Sequence, residues 1–302
     1  MRVTKQNLVI LVWVLVIMNV AAAVWFAVGI VNSDGKFRFF DDDSVQRADT
    51  LADLSLPDEY QMITDYAYHV SEQGNGSTYT CITFVKAKWP VSINGNSGMG
   101  HLKEALITKL FGHPYSDMKE ALDSVLAKPQ FNIPVNAFRR VEERPTSISN
   151  LGAEHYYRCF PHCTSDRLLE YKIVRNDYDG THATHKAGFV HYDRLRQQLI
   201  TIDMVIDLNK QEQITSLVNE RIKHFVDDEQ MSLQRAITLP QEFYLGATGI
   251  VFVFPEGAIA PTESGVIEIK VDYDKLKPYL TDYYKELLEN NANYKELPDV
   301  QL

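Results

Sequence analysis

Apolar and polar positions alternate along several stretches of the 302-residue chain, most clearly over residues 242–280. Ile250, Phe252 and Phe254 interleave with Val251 and Val253, so both faces of this run are apolar. That pattern predicts a strand buried on both sides. Pro255, Gly257 and Pro261 then interrupt the ladder, because proline lacks a donor and glycine accepts unusual backbone angles. After Gly265, apolar Val266, Ile267, Ile269 and Val271 are set against charged Glu268, Lys270 and Asp272, which predicts a half-exposed strand. Tyr273, Leu276, Lys277 and Leu280 follow helical spacing. Tyr283, Tyr284, Leu287 and Leu288 extend a terminal helix, and Asn290-Asn291 begins an exposed tail.

Upstream, residues 79–89 are β-branched and aromatic and predict a strand ended by Pro90. Residues 56–70 admit two periods. Tyr60, Ile63, Ala67 and Val70 fit a helix; Tyr66, Tyr68 and Val70 fit a strand; the first part is assigned to helix. Leu102, Ala105, Leu106, Lys109 and Leu110 make an amphipathic helix closed by Gly112. A second helix spans 116–127 with Ser116 as its cap. Strands are expected from residue 154, over 167–174 and over 187–192, with a turn-rich segment at 176–180. An apolar run at 199–205 precedes a helix over 211–226, whose buried stripe is Ile214, Leu217, Val218, Ile222 and Phe225. The order predicts an α+β fold of mixed and antiparallel sheets with packed helices.

The N-terminus follows a different pattern. From Leu8 to Val31 there is no charged side chain, and the stretch is long enough to cross a membrane. A cleaved signal peptide is the rival reading, with Ala21-Ala22-Ala23 as its cleavage site. Cleavage there would leave an apolar tail up to Val31, so an uncleaved anchor is preferred. Arg2 and Lys5 precede the segment while Lys36, Arg38 and Arg47 follow it, so charge leaves the orientation open. Residues 32–55, with Asp41-Asp42-Asp43, read as a linker.

Composition changes the picture in two ways. All 40 acidic residues, but only 28 of the 30 basic ones, lie after Val31, so that part carries −12. An acidic domain with no basic stripe along its sequence argues against nucleic-acid binding and against adhesion to anionic lipid. Three cysteines, Cys81, Cys159 and Cys163, do not make a disulfide scaffold.

The ordered string Phe243-Tyr244-Leu245, Gly249-Ile250, Ile259-Ala260-Pro261, Gly265, Ile267-Glu268, Tyr273, Leu276-Lys277 resembles the C-terminal half of the RsiV-type domain of unknown function. That domain forms the extracytoplasmic part of lysozyme-sensing anti-sigma factors and also occurs in accessory regions of PdaC-type peptidoglycan deacetylases. The order strand, Trp89-Pro90, loop, helix is similar to the smaller PdaC-type domain that often precedes it. The resemblance implies a two-lobed ectodomain behind one transmembrane helix: a cytoplasmic N-terminus at 1–7, the anchor at 8–31, the linker, a PdaC-like lobe at 56–150, an RsiV-like domain at 151–290 and a tail at 291–302. It places the C-terminal domain outside the cytoplasm. The family often carries a glycine–histidine turn. Here that place holds Gly180 to His185, where Gly180 and His182 correspond and the further glycines are absent.

His155, Cys159, His162 and Cys163 lie close in sequence, followed by His182, His185 and His191; thiolate and imidazole suit zinc or copper. Their spacing matches no metal motif. On one continuous strand, Cys159 and Cys163 would share a face about 13 Å apart, unless Pro161 bends them together. No metal or cofactor is therefore assigned. Glu256, Glu263 and Asp272 cluster, but no nucleophile elbow occurs and no catalytic residue is assigned. A pH switch at the turn histidines is conceivable, since imidazole titrates near neutrality.

Ligand binding is expected at His182 and His185 in the turn, and at Tyr244, Glu256, Ala260, Pro261, Glu263 and Gly265 in and around the shaped loop. The expected protein is a membrane-anchored, non-catalytic binding protein of the cell envelope, recognising a lysozyme-like protein or peptidoglycan. The alternatives are an envelope carbohydrate-active hydrolase or a module docking on a membrane partner. Seven residues before Leu8 cannot bury the ~800 Å² of an ordinary interface, so no sigma factor is expected as partner.

Overall fold

The computed structural model describes residues 56–72, 78–127, 137–141, 151–229 and 237–298. The segment read as a membrane anchor lies outside them; among the described residues no helix is long and apolar enough to cross a membrane.

Strand β1 (Glu59–Glu72) pairs antiparallel with β2 (Thr78–Ser92) along its whole length. Helices α1 (Gly100–Phe111) and α2 (Met118–Ala127) follow, then β3 (Ala137–Val141), β4 (Leu151–Thr164), β5 (Leu168–Tyr178), β6 (Ala183–Asp193) and β7 (Gln198–Ile200). These strands form a sheet in the order β3-β1-β2-β4-β5-β6-β7. Every neighbouring pair is antiparallel except β2 with β4, which the α1–α2 crossover makes parallel. The sheet therefore draws strands from both sides of residue 150.

Residues 59–72 are a strand rather than a helix at their start. Tyr60, Ile63, Ala67 and Val70 satisfy a helical period by coincidence, while pairing with β2 along the whole strand satisfies the backbone groups. Pro90 does not end β2. It sits opposite Tyr60, beside a register shift, where a missing N–H is tolerated.

Helices α1 and α2 cover one sheet face. Leu102, Leu106 and Leu110 of α1 and Ala121, Val125 and Leu126 of α2 pack on Val85, Ala87, Tyr157, Tyr171 and Ile173. Gly112 closes α1 at φ 73°, its N–H donating to the Thr108 carbonyl. The cap of α2 is one residue later than expected: Asp117 Oδ1 accepts from the Glu120 N–H at 2.8 Å. Ser116 donates instead, from N and Oγ, to the Glu120 carboxylate.

The second core lies on the opposite face. Chain order continues with α3 (Ile202–Val205), α4 (Gln211–Glu229), β8 (Glu242–Leu245), β9 (Gly249–Phe254), β10 (Ile267–Asp272), α5 (Tyr273–Leu276), α6 (Asp282–Glu289) and β11 (Lys295–Glu296). Strands β10-β9-β8 form a small antiparallel sheet. Strand β9 is buried at all six positions and β10 alternates, as their patterns predict. Ile214, Val218 and Ile222 of α4 and Tyr284 and Leu287 of α6 complete this core, together with Cys163 and Leu168 of the large sheet. Leu168 and Leu169 are consecutive, face opposite ways and belong to different cores.

Cys159 and Cys163 do not share a face. A register shift between Pro161 and Cys163 reverses the alternation, so Cys159 enters the first core and Cys163 the second. Both are free, buried thiols whose pKa burial raises far above the ordinary value. The segment after Asn290 is not simply an exposed tail. Strand β11 pairs with the end of β4, Leu297 N donates to the His162 carbonyl at 2.8 Å, and Asn291 hydrogen-bonds Ser165.

The β5–β6 hairpin turns at Asp179 to His182, with Gly180 at φ 94°. Asp179 Oδ1 accepts from the N–H groups of His182 (2.7 Å) and Thr181 (2.9 Å) and from the Thr181 hydroxyl (2.8 Å). These donors lower its pKa from 3.8 to about 2. A depressed carboxylate stabilises fully above its unfolded value and loses that contribution as pH falls through the folded one. The Thr181 and His182 amide resonances should therefore titrate with a midpoint near 2. A midpoint at the unfolded value would show that these bonds are absent in solution.

Candidate functional site

The large sheet has one face under α1 and α2 and only part of the other under the small sheet. On β2, Val85, Ala87 and Trp89 point to the helices, so Lys86 and Lys88 point to the second face. Register then sets the neighbours. Thr64, Lys86, Arg158, Val174 and Ala187 form one row across β1, β2, β4, β5 and β6. Two residues along the strands, the next row is Tyr66, Phe84, Tyr156, Asn176 and His185. On the other side lie Phe160, Lys172 and Phe189. With strands about 4.8 Å apart and about 6.7 Å per two residues, Lys86 and Arg158 sit about 5 Å apart at Cα, and Arg158 and Lys172 about 8 Å.

Where the small sheet meets this face, a cleft of about 310 Å³ opens. Arg158, Phe160, Lys172, Val174, Asn176 and His185 line one side, Val266 and Glu268 the other. Arg158 makes no ion pair with a described residue, and its Nε is buried without a hydrogen-bond partner. Glu268 is the cleft's carboxylate, and it accepts from the Tyr244 hydroxyl at 2.9 Å. Burial, then the charge of Glu268, raises the Tyr244 phenol above its ordinary range. The Tyr244 ring packs on Phe189 (4.9 Å) and His162 (5.1 Å), which fixes β8 against the large sheet. A second anchor is fully buried: Glu170 accepts from His191 Nδ1 (2.6 Å) and from the Leu245 N–H (2.9 Å).

Three other clefts among the described residues are larger, but their charges are more mixed or acidic. One of about 1120 Å³ lies between β1, α1 and α2, where Lys103 and Lys119 are mixed with Glu104 and Asp117. Another, about 540 Å³, runs between α1, β6 and β8, and its Lys109 and Glu242 pair with each other. Among these clefts of the described residues, the sheet-face one has the largest excess of cations, with Arg158, Lys172 and Lys186 against the single carboxylate Glu268, beside a carboxamide and apolar walls.

The structure brings part of the expected binding set together. His185 lines the cleft, with its Nδ1 3.0 Å from Asn176 Oδ1. Tyr244 holds the cleft's carboxylate. Gly265, at φ 69°, turns the chain into Val266 at the rim. His182 stays in the exposed hairpin turn, and Glu256 in the turn after β9, neither lining the cleft. Pro261 caps a short 3-10 turn that contains Glu263. Ala260 is a core residue, 2% exposed and unreachable by a ligand.

The residues that sequence reasoning missed are Lys86, Arg158 and Lys172. Their signal was polar positions inside otherwise apolar strands, Lys86 between Val85 and Ala87 above all. Although the sequence carries no basic stripe, register gathers Lys86 of β2, Arg158 of β4 and Lys172 of β5 on one face. The histidine–cysteine group disperses. His155 Nδ1 is 2.7 Å from Asp177, the thiols enter separate cores and His162 packs among aromatics. Among the described residues no three His, Cys, Asp or Glu side chains are placed to hold a metal. Of the carboxylates that lie near one another in the sequence, Asp272 is taken up by Arg221 (3.6 Å) and Lys270 (3.4 Å).

Residues 201–274 match a family described as "Protein of unknown function (DUF3298)". That span runs from α3 through the small sheet. No curated protein matches the sequence. Among solved structures, a DUF3298 family protein from Pseudomonas aeruginosa PAO1 is similar with a TM-score of 0.54 at 14% identity, covering 76% of this chain and 98% of the other. A member of the same family from Bacteroides fragilis NCTC 9343 gives 0.48 at 17% identity, over 78% and 96%. The Pseudomonas structure shows that the two proteins share a fold.

Proposed function

We propose that the protein is a membrane-anchored, non-catalytic binding module of the cell envelope, held by residues 8–31 with its C-terminal part outside the cytoplasm. We assign the sheet-face cleft as its ligand site and carboxylate groups of peptidoglycan as the ligand. The observation that carries this reading is the cleft itself: Arg158 and Lys172 beside Asn176 and His185, over apolar walls. Guanidinium, ammonium and amide groups over apolar walls suit an anionic glycan or peptide. A lysozyme-like protein is the second candidate ligand. The resemblance to RsiV-type and PdaC-type domains supports an envelope setting, with the 56–150 lobe and the 151–290 domain sharing one sheet. A hydrolase reading needs two converging carboxylates; the cleft shows Glu268 already hydrogen-bonded to Tyr244.

Isolated peptidoglycan should bind the full-length chain saturably. Arg158→Gln should weaken that binding about tenfold, the worth of one charged hydrogen bond, with an unchanged thermal midpoint. Tight binding of lysozyme that ignores Arg158→Gln, with no retention on peptidoglycan, would sink the assignment.

A further inference from the structure

We propose that the cleft is one end of a longer track, and that its ligand is a linear anionic sugar chain lying across β5, β4 and β2 rather than a single acidic group. This rests on the reading of the cleft as a peptidoglycan site and extends it to the class of ligand. Beyond Arg158, the same row continues to Lys86, which is half-buried and makes no ion pair with a described residue. The next row is an aromatic shelf. Tyr66 stacks on Phe84 with ring centroids 4.5 Å apart, and Tyr156 meets Phe84 edge-on at 5.3 Å. Phe84 at the centre of this row is buried, and Tyr66 and Tyr156 on either side of it are half-buried next to the row of cations.

Cations beside aromatic faces meet the two needs of a charged sugar chain. The acidic groups find ammonium or guanidinium, and the apolar ring faces find aromatic carbon. The interstrand spacing, about 4.8 Å, is close to the advance of one sugar along an extended chain, so successive strands offer successive subsites. The face also carries acids, and they bound the track. Glu154 accepts from the Tyr156 hydroxyl at 2.5 Å, and Glu268 closes the cleft end. Lys88 belongs to the far edge, its ammonium 4.6 Å from the Tyr60 ring centroid.

The test uses glycan strands released from peptidoglycan, separated by length and titrated against the full-length chain. Affinity should rise from the single disaccharide-peptide to strands of several disaccharides. Lys86→Gln should weaken the longer strands about fivefold, the upper range for one exposed charge pair, and leave the single unit unchanged. If the single unit binds but length brings no gain, or Lys86→Gln changes no length, the track is wrong while the cleft assignment stands. If even the single unit fails to bind and Arg158→Gln has no effect, the cleft assignment itself is wrong. A single-stranded oligonucleotide of matched charge binding more tightly than the glycan would overturn the choice of a sugar chain.

Discussion

Asp193→Ala is expected to destabilise the protein by about 3–5 kcal/mol, the cost of stranding a buried charge, and to lower the thermal midpoint by about 10 °C. Asp193 is fully buried at the end of β6, and Arg167 beside it is 3% exposed. The two form a bidentate pair, Arg167 Nη2 to Oδ2 at 2.9 Å and Nε to Oδ1 at 3.4 Å. The same carboxylate accepts from the Leu195 and Arg196 N–H groups, both at 3.0 Å, and from the Tyr283 hydroxyl at 2.9 Å. It thereby ties the β6–β7 turn and helix α6 to the start of β5. Removing it leaves a guanidinium buried, with the half-exposed Glu286, 3.8 Å away, as its ion-pair partner among the described residues. Adding Arg167→Met should recover part of the loss, because the orphaned charge then disappears. Urea melts of the three proteins check this. A loss below about 1 kcal/mol for Asp193→Ala would mean that water reaches the site and the pair behaves as a surface one.

Gly249→Ala should cost about 2–4 kcal/mol, at and beyond the usual range for overpacking. Gly249 begins β9 and lies opposite Asp272 of β10. A Cβ built there would stand 2.3 Å from the Val271 carbonyl oxygen and 2.9 Å from the Asp272 Cα. Those are backbone atoms of a paired strand, so no side-chain rotation relieves the contact. The small sheet must open at its edge, beside Thr248, whose carbonyl accepts from the Tyr273 N–H. Hydrogen exchange should show β10 losing protection before β5. Uniform loss across both sheets would instead mean that the two cores unfold as one unit.

The sequence was most legible where one period acted alone. Strands β9 and β10 were readable residue by residue, because a run apolar on both faces and a strict alternation each admit one placement. Helix α1 was readable for the same reason, with Gly112 marking its end. Strand β1 was not. Tyr60, Ile63, Ala67 and Val70 fit the helical period while Tyr66, Tyr68 and Val70 fit the strand period, and only the partner β2 decides between them. The cysteines misled through a single irregularity. One shifted residue between Pro161 and Cys163 turns Cys163 to the opposite face; Pro161 marked the place of an irregularity but not its direction.

By itself the sequence determined most of the strands and helices, though not the start of β1, β3 or β11, together with the α+β class and the small-sheet segment that contains Tyr244 and Gly265. Those properties depend on neighbours a few residues away, through side-chain period and backbone chemistry. Tertiary structure alone decided where charge gathers. Lys86, Arg158 and Lys172 stand on three strands, and hydrogen-bond register rather than sequence distance makes them neighbours. A chain with a formal charge of −10 thus presents a basic face, because net charge is a sum over residues while local potential follows positions in space.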